Sequence, residues 1–221
     1  MASPSEKLPL GLQVPAVPAG AEIPPEPPDV GARALSVAAR LLAGATTFFF
    51  LAFIFAYFYL RSINQEHLWR HGHIDPSQAL GAAIIACVVV SAALAIVAGR
   101  QMKAGSRSWL NPAIGGVVLG LAAVALQCIE YTRQHFGPTD GAFASVFCAW
   151  TALYVIAVLG TMYWLETQVA TELRARREPA SAEGDIRQAD LLIAPGLDAA
   201  VFYWTFLAAI GVVTYVVLYL L

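Results

Sequence analysis

Charge is scarce in this chain. Only 13% of its 221 residues are Asp, Glu, Lys or Arg, and 58% are hydrophobic; an average soluble domain is about a quarter charged. Mean hydropathy is +0.64, and a soluble core of 23.6 kDa cannot hide so much apolar surface behind so few charges. A net charge of -2 and a pI near 6.1 leave no basic surface for nucleic acid. Three cysteines are too few for a disulfide scaffold. No apolar run alternates with a period of two, which argues against a β-barrel. The first residues lack the basic start and apolar stretch of a secretory signal. These absences leave a helical membrane protein.

What is present is distributed in blocks. Residues 1–33 are read as a proline-rich, disordered cytoplasmic tail with polyproline-II character; its first 32 residues hold eight of the thirteen prolines, among them Pro24-Pro25-Glu26-Pro27-Pro28. Residues 34–221 are read as the membrane domain. A helix crosses the hydrocarbon core with about 20 residues, and five apolar runs reach or approach that length: 41–60, 78–98, 112–129, 143–165 and 199–221. Pro112 suits the first turn of the third. The expected fold is therefore all-α, a polytopic membrane bundle of five transmembrane helices. Residues 166–198 form a charged cytoplasmic loop in this reading.

Orientation follows from the basic residues. The tail, the second loop and the fourth loop hold Lys7, Arg33, Arg40, Arg100, Lys103, Arg107, Arg174, Arg176, Arg177 and Arg187; the other side has Arg61, Arg70 and Arg133. The positive-inside rule then places the N-terminus in the cytoplasm and the C-terminus in the periplasm. Trp69, Trp109 and Trp164 lie near span ends, as interfacial anchors do.

The contents of the spans limit the chemistry. All four histidines lie in outer loops, and Cys87, Cys128 and Cys148 fall one to a span. A haem or copper centre at membrane depth needs imidazole or thiolate ligands there, so no cofactor and no catalytic residue is assigned to this chain. His67, His71 and His73 are spaced to gather round zinc or copper. With only Glu66 and Asp75 beside them, they read as part of a solvated loop. None of the five runs contains Asp, Glu, Lys or Arg, the groups pumps and transporters place in the membrane. Gly116 and Gly120 form a small-xxx-small pair suited to close helix packing. Trp150 and Trp204 lie within spans, where each indole N–H needs a protein partner.

Three stretches resemble subunit III of the haem–copper cytochrome oxidases, in its short five-helix form. The first is Phe49-Phe50 through Ala56-Tyr57-Phe58-Tyr59-Leu60-Arg61. The second is Gln127-Cys128-Ile129-Glu130-Tyr131, then Asp140-Gly141-Ala142-Phe143-Ala144-Ser145-Val146-Phe147 and Thr151. It is similar to the family's Gln-x-x-Glu-Tyr and Asp-Gly-x-Tyr-Gly-Ser-x-Phe. The third, Gly196 to Phe206 with Asp198, Tyr203 and Trp204, resembles a final-helix signature built on Tyr-Trp-His-Phe. The likeness runs from about residue 41 to the C-terminus.

The departures are systematic. Family carboxylates and histidines fall on Thr46, Tyr154, Ala157, Thr205 and Ala208, all uncharged here. Glu130 and Asp198 are the surviving acids. From the sequence, Glu130 is expected to end the third helix at the outer surface, paired with Arg133, and Asp198 to cap the fifth from the cytoplasmic side. The resemblance implies a non-catalytic subunit of a bacterial terminal oxidase, multi-pass in the plasma membrane. It would pack against the catalytic haem–copper subunit I and other oxidase subunits and bind phospholipid, with haem and copper held by those partners. A subunit-III-like protein associated with nitric oxide reductase is the nearest alternative. A small transporter or channel is the alternative from another class, against which the uncharged spans argue.

Overall fold

The computed structural model describes residues 28–64, 69–70, 74–177 and 183–221, and every regular element among them is helical. Helix α1 is Pro28–Ile63, α2 is Gln78–Lys103, α3 is Leu110–Arg133, α4 is Ala142–Arg177 and α5 is Glu183–Tyr215. A 3₁₀ turn, Arg107–Trp109, leads into α3, and a π-helical turn, Val216–Leu220, ends the chain. All five helices are long and apolar enough to cross a membrane.

Local chemistry sets the ends. The Ser77 side chain accepts a hydrogen bond from the Leu80 amide and caps α2. That helix stops in a Schellman motif: Gly105 sits at φ +71°, its amide bonds Met102 O, and the Ser106 amide bonds Gln101 O. Pro112 lies in the first turn of α3, where a missing N–H costs nothing. Asp140 accepts from the Gly137 amide at 2.7 Å, and the Ser145 hydroxyl bonds Pro138 O at 2.6 Å. These bonds shape the α3–α4 turn.

The helices run beyond the apolar blocks. α1 begins at Pro28, inside the stretch read as tail, and residues 166–177 and 183–198 are helical where a loop was expected. Hydropathy marks where a helix meets lipid, not where it ends. The polar extensions are rich in Ala, Leu, Glu, Gln and Arg, which are strong helix formers. Glu172 and Arg176 add a pair one turn apart, at 2.7 Å. With 36 residues each, α1 and α4 extend about 54 Å, well past a hydrocarbon core of about 30 Å.

α5 is the centre of the bundle and touches α1, α2 and α4, while α3 joins α2 to α4. The largest wholly buried side chains, Trp150, Trp204, Tyr57, Phe143 and Phe147, lie along these seams. α1 is the least covered helix and leaves Phe48, Phe49 and Phe55 exposed. Lipid is as apolar as these side chains, so close packing and interhelical hydrogen bonds hold the helices together. Gly116 presses against the Ser91 carbonyl, and Gly120 leaves room for Met162. The small-xxx-small pair thus serves two seams, α2–α3 and α3–α4.

Candidate functional site

Most of the polar side chains singled out in the sequence take part in interhelical contacts. Gln127 and Glu130, one turn apart on α3, face inward; Gln127 Nε2 donates to Glu130 Oε2 at 2.8 Å. Tyr219, on the final π turn, donates its hydroxyl to the same oxygen at 2.6 Å. Glu130 is only 1% exposed. It is therefore neither a surface acid nor the partner of Arg133, which is exposed. The sequence placed the end of the apolar run at Ile129, but α3 continues to Arg133, and the 3.6-residue repeat turns Glu130 into the bundle.

The seat for Tyr219 is built by several elements. A side chain on Gly81 of α2 would overlap the Tyr219 ring. Gln78 Nε2 donates to Tyr219 O at 3.4 Å, and Arg70 donates to Leu218 O at 3.3 Å. Arg70 also pairs with Asp75 at 3.3 Å and lies 4.5 Å from the centroid of the Phe143 ring. Trp69, near the end of its span, is buried against Tyr57 at 5.0 Å and Phe143 at 5.6 Å. Trp109, in the 3₁₀ turn before α3, is likewise buried. Of the residues at this end, Tyr219 carried no signal in the sequence, and Arg70 counted only toward the charge of its loop. Tyr219 meets Glu130 across 89 positions of chain.

Thr46, Tyr154 and Thr205 each make a neutral contact. Thr46 and Tyr203 share a buried hydrogen bond of 2.9 Å between α1 and α5. Tyr154 donates to Leu207 O at 3.1 Å. Ala208 is buried and Ala157 half-buried, whereas Thr205 is exposed on the outside of α5 and bonds its own helix at Val201 O. Tyr131 donates to Thr151 at 2.7 Å, joining α3 to α4. Trp150 donates to Thr214 at 2.9 Å and Trp204 to Ser91 at 3.1 Å, while Ser91 donates to Gly116 O. Both indoles find the protein partner expected of them.

Asp198 stands apart from this network. It lies within α5, not at its head, and forms a half-exposed pair with Lys103 at 2.6 Å. The expectation of a capping role fails because α5 begins at Glu183. A cleft of about 440 Å³ opens beside it, with Ser36, Arg40, Met102, Lys103 and Phe202 in its walls. His67, His71 and His73 lie outside the described residues. Among the described residues no three His, Cys, Asp or Glu side chains gather as a metal site.

Fold and polar network together define a polytopic helical membrane protein whose buried polar groups tie helices to one another. No protein-family model matches the chain, and no curated protein matches it.

Proposed function

We propose that the chain is a non-catalytic, subunit III-like component of a bacterial haem–copper terminal oxidase, a cytochrome c oxidase of aerobic respiratory electron transport. In this reading it sits in the plasma membrane with its N-terminus cytoplasmic and its C-terminus periplasmic. It packs against the catalytic subunit, binds phospholipid, and leaves redox chemistry and proton pumping to partners that carry haem and copper.

One observation carries the reading. Gln127-x-x-Glu130-Tyr131, the Asp140–Ser145 turn and Tyr203-Trp204 follow one another in the family's order on consecutive long helices. The geometry is in keeping with a packing role. Glu130, Tyr131, Tyr203 and Trp204 each bond a residue of another element, and Thr46 and Tyr154 do so without charge. A conduit for protons or ions would need ionisable groups at intervals along its length.

Purification of the native complex in mild detergent tests the proposal. A haem–copper catalytic subunit should co-migrate with the chain, and its consistent absence would overturn the assignment. The uncharged residues at Thr46, Tyr154, Ala157, Thr205 and Ala208 favour one second reading, the nitric-oxide-reductase-associated form, which the haems and metals of the co-purified partner distinguish. Solute uptake by the isolated chain in liposomes would instead indicate a transporter or channel.

A further inference from the structure

Glu130 is a buried acid with unfinished electrostatics. Its Oε2 accepts from Gln127 and Tyr219, but its Oε1, shielded from solvent, has no hydrogen-bond partner among the described residues. The Ser77 backbone amide faces the carboxyl group without completing a bond to that oxygen. Gln134, the residue that caps α3, carries a second buried acceptor without a donor, its Oε1, while its Nε2 donates to Cys148 on α4.

The described surroundings do not neutralise the acid. The C-terminal end of α3 brings roughly half a negative charge and the N-terminal end of α2, at Ser77, roughly half a positive one. These two contributions oppose each other, and the carboxylate's own charge remains. Among the described residues, the elements packed round Glu130 supply no cation to offset it. The first two turns of α2 contain no ionisable side chain, the nearby titratable groups of α4 are Cys148 and Tyr154, and the last turn contributes Tyr219 beside Tyr215. Tyr131 on α3 is engaged with Thr151. Arg70 is engaged with Asp75 and Leu218 O, and Arg133 is exposed. At 1% exposure the carboxyl group is also closed to a basic side chain from another subunit.

We infer that Glu130, held by Gln127 and Tyr219 through one oxygen and unpartnered at the other, forms a binding site for one monovalent cation, taken up as a proton or as a sodium ion. The site lies under the C-terminal turn, and Tyr219 closes it. This inference concerns the chain itself and stands whether or not the protein serves an oxidase.

A membrane-permeant fluorescent carbodiimide tests it on the full chain in nanodiscs. The carboxylic O–H adds across a carbodiimide C=N bond, so the reagent reads the protonated, sodium-free site. In sodium-free buffer at low pH the label should map to Glu130 by peptide mass spectrometry and be lost in Glu130→Gln. If sodium is the ligand, NaCl at ten times its dissociation constant, against choline chloride, should slow labelling about tenfold. If only the proton binds, NaCl has no effect, and the rate should fall about tenfold per pH unit once the acid has ionised. The melting temperature of the wild-type chain should respond to the same ligand and that of Glu130→Gln should not. Should Glu130→Gln fail to fold, the wild-type labelling and melting series decide. A wild-type melting temperature indifferent to both sodium and pH, or a labelling rate indifferent to both, overturns the inference.

Discussion

Tyr219 and Glu130 show how much rests on single polar atoms in a bundle that lipid surrounds. Phenylalanine at position 219 keeps the ring over Gly81 but removes the donor to Glu130 Oε2. Leaving a buried acceptor short of a partner costs about 1–3 kcal/mol, so Tyr219→Phe should unfold at a lower denaturant concentration by that measure. In a double-mutant cycle with Glu130→Gln, a coupling of about 0.5–3 kcal/mol is expected for residues in one network; additivity would mean that the bond is not formed in the membrane. Trp204→Phe is the milder case. It deletes one donor to Ser91, whose own bond to Gly116 O survives, and interhelical bonds of this kind average about 0.6 kcal/mol with a maximum near 1.7. A loss within that range in unfolding experiments is the expected result. The identities of Glu130 and Trp204 were legible in the sequence, and so was the need of each buried Trp for a partner. Which residue answers that need was not, because Ser91 lies 113 positions from Trp204.

At the scale of helices, close approach is decided by glycine. Gly81 and Gly160 look alike in the sequence, each in an apolar run, but the packing separates them. A Cβ at Gly81 meets the Tyr219 ring, whereas one at Gly160 meets nothing within 4 Å. Overpacking typically costs about 1–3 kcal/mol, so Gly81→Ala should destabilise the chain by that amount and loosen the final turn. Gly160→Ala, in the middle of α4, should stabilise it by about 0.5–1 kcal/mol through backbone entropy alone. Thermal unfolding of the two variants in the same detergent checks both signs. Helix ends were the least legible feature at this scale. Each apolar run falls on one of the five long helices, but α1, α4 and α5 continue well into polar sequence. Their true limits depend on caps and on side chains one turn apart rather than on hydropathy.

For the whole molecule, a chain whose five helices all cross has its α3–α4 turn and its α2–α3 turn on opposite sides of the membrane, and the proposed topology puts the former in the periplasm. In a chain with Cys87, Cys128 and Cys148 replaced by Ala, a membrane-impermeant maleimide added to intact cells should label His135→Cys and spare Ser108→Cys. Both positions are exposed, so the reverse pattern would invert the topology. The Lys103–Asp198 pair belongs to the same surface as Ser108. Both of its side chains are more than half exposed, and surface pairs contribute about 0–1 kcal/mol. Lys103→Ala should therefore leave the melting temperature nearly unchanged.

By itself the sequence determined the membrane class and the number of helices long and apolar enough to cross. Both depend on a property that adds along the chain, hydropathy over about 20 residues. Only the tertiary structure decided that the scarce charge is not wholly excluded from the bundle. Glu130 is three residues from the end of α3, close enough to a boundary to pass for a surface acid. Its burial depends on α4 and on the last turn of the chain, and above all on Tyr219, which the packing of α5 and the space over Gly81 bring to it from the far end of the sequence. A contact between distant positions depends on how helices pack, and no local count of charge or hydropathy contains it.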